Sequence, residues 1–568
     1  MKQYSNRQFA GAQPVILLEL VFASKVYRFS TQALNLNDNG ATLQYQGGLE
    51  DIEIAEQTEL IGIDIEGNSA TCKVVFDGIN LIEYWRRGYI LEGAEAEISM
   101  ILLREGVPQQ DYEDRQVLIT GYVQQPQFGD PLEPVGFCSF SVERKPFDTT
   151  TGGLIHNPDF AINTRTFPAL DFDILGSMSE GQIYPIVIAK KGIWNILNDD
   201  GANFNVFVSP AYAISNYTPT VGDPYYLLIS AYAVEATTVW IRDSFGNYKL
   251  CPVDVTVDAL GNVYSRVNII TGGGLIERKR NTADEDVEYH VCWSNVTAGV
   301  GISGGIKSPF GDGALVGGAE IIMWAMLLGG YDIDLKAWQS VRPFLDTYEF
   351  HGYIDDPTTQ AWDWLSDSII RFLPVEVQNG NNGIRPILAL LYISTYTQPI
   401  VQLETDSNFL VVSSITTMND TSDLSNDIIL YFAPNEGGRY LCKNRINADI
   451  QDTSISSSKS LYALQSQGRY GKKSMSQEAD WIFERDTAIK VATDLIRANS
   501  LPLRAFEVLA NAYYGFLQIG DVISITSEEL FLVDTLATVV SKKYNGFGFL
   551  FMIAINDASF TTQRYTGA

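Results

Sequence analysis

Residues suited to proton transfer or metal binding are few and scattered in this chain. Histidine occurs three times, at His156, His290 and His351. None has a second histidine at the short helical or loop spacing that a metal site uses. His351 lies near Asp355 and Asp356, and a site with Asp332 and Asp334 is conceivable. Carboxylates in such places more often cap helices and solvate loops. No GxSxG, HExxH or P-loop pattern occurs. The cluster TGGGLIE lacks the strand–turn–helix context of a nucleotide fold, and NDDGANFN lacks the ordered oxygen ligands and terminal Glu of a calcium loop. Acidic pairs for glycoside hydrolysis can be drawn from many Asp and Glu residues, but spacing along the sequence does not place two carboxylates at catalytic separation. Trp338, Trp362, Trp364 and Trp481 could stack on sugars; at helical spacing they read as core. No catalytic residue, metal site or cofactor is expected, and the chain reads as a non-enzyme.

The five cysteines, Cys72, Cys138, Cys251, Cys292 and Cys442, are far apart and form no CxxC pair. They fit neither a disulfide framework nor a zinc site, and suit folding in a reducing cytoplasm. The formal net charge is −29 over 568 residues. Phosphate binding needs clustered Lys and Arg, so the chain should repel nucleic acid and anionic membranes. The bland reading of that charge is solubility; the sharper one is an acidic conduit through which DNA slides without sticking. The N-terminal apolar run starts late and contains Glu19, which argues against a signal peptide. ALVGGAEIIMWAMLLGG (314–330) is short for a bilayer span and contains Glu320, so it is expected as a buried helix and not a membrane anchor.

The elements that would position any site are mostly strands. Tyr and Phe number 29 and 28, and with many Val, Ile and Thr they favour β structure. Ile61, Ile63 and Ile65 alternate ahead of a Gly67-Asn68 turn. Turn signals at Phe245-Gly246-Asn247 and Leu260-Gly261-Asn262 punctuate a run of short strands. Two helices are predicted in the middle. One is AEIIMWAMLL, stopped by Gly329-Gly330. The other opens on Asp355-Asp356-Pro357 and carries Ala361, Trp364, Leu365, Ile369 and Phe372 on one face. Later, NDIILYF and RYLCKNRI read as strands around PNEGG. Ala488, Val491, Ala492, Leu495 and Ile496 mark an amphipathic helix, and Asn545-Gly546 marks a hairpin.

Two segments echo each other. YILEGAEAEISMI (89–101) and GFLQIGDVISITS (515–527) each have an aliphatic residue, a glycine, a small or acidic residue and an alternating strand. A hairpin follows both. Similar hairpin units can look alike by chance; the alternative is a duplicated β-barrel domain near each end of the chain. A trimer of such a chain would present six similar barrels in a ring.

Together these segments resemble the hub proteins of phage tails, both the central hub of contractile tails and the tail-tip protein of siphophage tails. The likeness is carried by Tyr470-Gly471, the helix from about Asp486 to Ala498, and Leu517 to Val522 with Gly520 and Asp521. An early counterpart has Leu91-Glu92-Gly93-Ala94 and Ile119 to Val123 with Gly121 and Tyr122. GQIYPIVIAKKG is similar to a stretch of siphophage-type hubs. The resemblance covers about two-thirds of the chain and its motifs are structural.

What it implies is a homotrimeric baseplate hub in the virion tail, passing DNA without specific binding. The hub would contact a distal tail protein, the tape measure protein, and tail fibres or a central spike. The expected fold is α+β, β-rich and multidomain: two tube-like β-barrel domains at 1–150 and 421–568 flank an all-β insert at 151–309 and a small α+β domain at 310–420. A receptor- or glycan-binding tail protein, and a carbohydrate hydrolase of the tail tip, are the alternative readings.

Overall fold

A computed structural model describes most of residues 13–144, 305–388 and 399–555, and mainly strand segments between 186 and 303; structural statements below concern those residues. The chain divides into two compact units. The first comprises Met1–Asp148, Glu376–Asp420 and Pro502–Ala568; the second comprises Thr149–Val375 and Thr421–Leu501. Residues 376–420 thus group with both chain ends, and 421–501 group with the middle, whereas the sequence reading assigns them to 310–420 and 421–568.

The first unit is built on a 16-stranded sheet. Twelve of its strands fall into two sets of six. From the N-terminal part come β1 (Gln13–Phe22), β2 (Leu49–Gln57), β3 (Ser69–Phe76), β4 (Glu95–Leu103), β5 (Gln116–Phe128) and β6 (Gly136–Glu143). From the later parts come β7 (Val401–Glu404), β8 (Val411–Thr417), β9 (Arg504–Asn511), β10 (Val522–Ser527), β11 (Leu532–Tyr544) and β12 (Gly548–Ile555). The first six run β2-β3-β6-β5-β4-β1 across the sheet; the second six run β8-β9-β12-β11-β10-β7. The two orders are the same, position for position. All pairings inside the two sets are antiparallel save one: β7 meets β10 parallel, where its counterpart β1 meets β4 antiparallel.

The sets are joined through β11 and β2, with Ser541 opposite Gln57, Lys542 opposite Glu56 and Lys543 opposite Ala55. One apolar core spans both sets, with Leu18, Ile98 and Phe140 clustering with Val508, Ile523 and Phe551. The sequence reading expects two separate barrels. The structure places both sets in one shared sheet, and that sheet forms no closed barrel among the described residues. The physical reason is that strands 401–404 and 411–417 pair with partners about a hundred residues later, a non-local choice that local periodicity does not encode.

The second unit contains the all-β insert, the helices and a small sheet. In the insert a 7-stranded sheet is ordered 248–250, 235–242, 298–303, 208–213, 225–230, 264–269, 255–260. Its hairpins 235–242/248–250 and 255–260/264–269 flank the two turn signals read from the sequence. Helix α1 (Gly318–Leu328) is buried nearly all round, as its unbroken apolar run requires. It ends at Gly329 and Gly330, the latter at φ +78°. No helix among the described residues is long and apolar enough to cross a membrane. Helix α2 (Leu335–Leu345) was not foreseen, because Pro343 inside it masks the pattern. Helix α3 (Ala361–Ser368), with Gln360 at its N-cap, starts later than the Asp-Pro signal suggests, and a 3-10 turn at Ile370–Phe372 extends its apolar face. A 4-stranded sheet holds 427–434 and 440–447, the two strands foreseen around PNEGG. It is accompanied by helices α4 (Leu461–Tyr470) and α5 (Arg485–Asn499). The Ile61–Asn68 alternation, His156, His290, Cys251, Cys292, TGGGLIE and most of NDDGANFN lie outside the described residues.

Candidate functional site

Six of the eight residues singled out in the sequence as assembly elements lie at one local geometry, built twice. In the first set the backbone turns at Leu91-Glu92-Gly93-Ala94 before β4. The Ala94 N–H donates to Leu91 O at 3.0 Å, Gly93 N–H donates to Val123 O at 2.8 Å, and Val123 N–H returns to Ala94 O at 2.8 Å. In the second set the turn is Gln518-Ile519-Gly520-Asp521 before β10. Asp521 N–H donates to Gln518 O at 3.0 Å, Gly520 N–H to Val539 O at 2.8 Å, and Val539 N–H to Asp521 O at 3.0 Å.

The third residue of each turn is a glycine at positive φ, +80° for Gly93 and +83° for Gly520. A type II turn demands that conformation, which explains why glycine stands in both places. Each turn feeds its strand in the same register: Glu95 faces Tyr122 and Val522 faces Thr538.

The likeness runs further. Tracing pairs outward from Val123 and Val539 makes Val142 equivalent to Ile553, Ala70 to Phe506 and Ile54 to Ile415. Both edge strands carry a bulge immediately before that last position, between Glu50 and Glu53 in β2 and between Val412 and Ser414 in β8. Both long strands carry one after the valine, opposite 139–141 for β5 and between 539 and 541 for β11. Bulges are specific, locally costly features; the pair in β2 and β8 overlaps and the pair in β5 and β11 is adjacent, and with the shared strand order they mark a duplicated module.

The second copy is fastened more firmly. Arg385 donates to Gln518 Oε1 at 2.9 Å and to Ile519 O, and pairs with Asp521 at 3.2 Å. Burial raises the Asp521 carboxyl, with Arg385 opposing. Arg385 lies in a segment that the sequence reading placed in another domain. Gly121 sits where β5 meets the end of β6, and a Cβ there would fall 2.1 Å from Glu143 O. Its neighbour Tyr122 pairs with Glu95 and Glu143 across the two flanking strands. Gly93, Ala94, Gly121, Tyr122, Gly520 and Asp521 therefore all belong to the first unit. Tyr470 and Gly471 do not: they end α4 in the second unit. There Gly471, at φ +74°, donates to Gln467 O and accepts from Asn426.

The one histidine among the described residues, His351, lies in the second unit. It is fully buried, and Glu349, His351 and Glu484 bring their ligand atoms within 4.8 Å of one another. The ammonium of Lys190 sits between the two carboxylates and bonds both. Burial holds His351 down at about 3, with Glu349 opposing and Lys190 reinforcing. Burial also pushes Glu349 up, but hydrogen bonds from Glu484 and Lys190 carry it below its usual range, while Glu484 is raised. Lys190 bonds both carboxylates, so the cluster reads as an internal ion network tying 190 to 349 and to the start of α5. Of the carboxylates weighed with His351 in the sequence, Asp334 caps α2 by accepting from Ala337 N–H at 3.0 Å, and Asp356 accepts from Thr358 N–H at 2.8 Å. Trp338 is wholly buried, and Trp364 packs edge-on against Trp481 at 5.0 Å.

The sequence matches no protein-family model and no curated protein. Among solved structures it is similar to the tail protein from Neisseria meningitidis MC58, with 9% identity, a TM-score of 0.36, and coverage of 95% of this chain and 97% of that one. It is similar also to the 43 kDa tail protein of prophage MuSo2 from Shewanella oneidensis, with 9% identity, a TM-score of 0.35, and coverage of 96% and 98%. A chain of the p2 virion baseplate in its activated conformation follows at 10% identity and TM-score 0.16, covering 66% and 98%. These structural neighbours are phage tail and baseplate proteins. At such scores the overlap carries no argument about roles, and the functional reading rests on the chain's own duplicated module.

Proposed function

We propose that this protein is a structural hub of a phage tail tip. Three chains form a ring of six like modules that joins the tail tube to the distal tip and leaves a passage for DNA. The observation that carries this reading is the repeat of one strand order, one entry turn and matching bulges within a single sheet. A chain with two like modules gives a three-fold ring six similar positions, so it can meet a six-fold tube on one side and a three-fold spike or fibres on the other. The net charge of −29 suits a passage that DNA crosses without binding. Its partners in this reading are a distal tail protein, the tape measure protein, and fibres or a spike, in the virion tail. Its role is architectural and not catalytic.

Native mass spectrometry of the purified full chain, alone and with tail-tube protein, tests the proposal. The expected species contains three chains. A chain that stays monomeric at every concentration and with its tail partners overturns it. Hydrolysis of peptidoglycan or capsule that is abolished by a single carboxylate substitution would overturn the architectural part.

A further inference from the structure

The duplicated module leaves a mismatch between its two copies. In the second copy, β11 is used on both sides. Its first half pairs with β10, and its second half, Ser541 to Lys543, receives β2. In the first copy, β5 pairs with β4 only as far as Tyr122. Beyond that, among the described residues, the edge from Gln124 to Phe128 has no strand beside it.

Exposure records the same difference. Lys542 and Tyr544 are 1% and 8% exposed. In the first copy the bulge of Gln125 and Pro126 stands where Lys542 does, and Gln125 is exposed; Phe128, in the place of Tyr544, is 40% exposed. At the other end of the two-copy sheet, β8 occupies the position of β2. Among the described residues its only strand partner is β9. The chain thus ends in two complementary edges, and it already shows once, internally, how they fit.

We infer that copies of this chain join head to tail by strand addition, with β8 of one copy pairing antiparallel to the Gln124–Phe128 edge of β5 in the next. The register follows from the internal junction. Lys543 and Gln127 stand opposite the equivalent residues Leu550 and Ser139. Ala55 and Thr416 each follow the equivalent isoleucines Ile54 and Ile415. The internal pair Lys543–Ala55 therefore predicts Gln127 of one copy opposite Thr416 of the next. An unpaired strand edge is a template for an added strand; Pro126 within this one has no N–H to donate, so the bonds come from its neighbours and from its carbonyl, and Phe128 would be covered as Tyr544 is. Such an interface uses different surfaces on its two sides, so it closes into a ring or runs on as a filament. Closure at three chains rests on the hub reading; the pairing itself does not.

The test is a double variant, Gln127→Cys with Thr416→Cys, in the full-length protein under mild oxidation. Opposed antiparallel residues lie about 4.5–5.5 Å apart at Cα, within reach of a disulfide. The expected result is disulfide-linked multimers on a non-reducing gel, ending in a closed three-chain species, while each single variant stays unlinked. Ala55→Cys with Lys543→Cys is the within-chain control and should link without changing the chain count. Phe128→Asp, at an exposed position, should weaken assembly at least ten-fold and leave the melting temperature unchanged.

A three-chain particle that does not cross-link at this pair and ignores Phe128→Asp overturns the strand-addition inference while the hub reading stands. An open-ended ladder with no closed species supports the pairing and overturns the ring. A chain that neither links nor assembles overturns both.

Discussion

Gly93 and Gly520 adopt nearly the same backbone conformation for the same purpose, yet their surroundings differ. A Cβ on Gly93 would meet nothing within 4 Å, whereas one on Gly520 would lie 2.5 Å from Ile387 Cγ1. Gly93→Ala should therefore cost only the left-handed backbone penalty, about 1–2 kcal/mol. Gly520→Ala adds a packing clash and should cost more, as urea unfolding of the two variants would show. Asp494 offers a second measurement at this scale. Burial pushes its carboxyl up to about 7, against the Tyr348 hydroxyl that donates to it. An acid whose folded pKa is raised contributes stability that is fully present below its unfolded pKa, about 3.9, and is lost as pH rises through the folded value. Asp494→Asn should accordingly flatten the fall in melting temperature between pH 5 and pH 8. An equal fall in the variant would show that Asp494 is not the group responsible.

Helix α2 and the 4-stranded sheet show how polar side chains hold elements in place. The cap on α2 is Asp334, and Asp334→Ala should cost about 1 kcal/mol in thermal stability while leaving assembly untouched. In the 4-stranded sheet, Asp427 binds Arg445, Lys472 and Ser474 at 2.8–3.0 Å. Burial would raise its carboxyl, but these bonds outweigh it and bring it to about 2. Its contribution is present above the unfolded pKa and lost as pH falls through the folded value, so acid should loosen this sheet. Asp427→Asn should remove most of that acid sensitivity in a melt series between pH 5 and pH 2.

For the molecule as a whole, the joint core of the first unit makes the two chain ends interdependent. Phe506, Phe549 and Ile553 from the C-terminal part cluster with Leu18, Ile98 and Val142 from the N-terminal part. Residues 1–148 expressed alone would expose much of that core and leave the Ala55–Gln57 edge open. Such a fragment should lack a cooperative melt and near-UV circular dichroism. A cooperative transition in the fragment would show that the N-terminal set folds independently, as the expected separate barrel would.

The sequence alone determined what depends on short range. Glycines before alternating strands announced both turns, because only glycine enters the left-handed region cheaply. Helices α1 and α5 are marked by their apolar spacing, and the sequence carries neither histidine pairs nor nucleophile patterns. The echo between 89–101 and 515–527 was visible because each turn lies within a few residues. What only the tertiary structure decided is non-local. The two sets share one sheet through Lys543 and Ala55, Arg385 braces the second turn from a distant segment, and Lys190 bridges Glu349 and Glu484. Strand pairing across hundreds of residues is chosen by which edges remain unsatisfied once local elements have formed. That choice belongs to the whole fold and leaves no periodic mark in the chain.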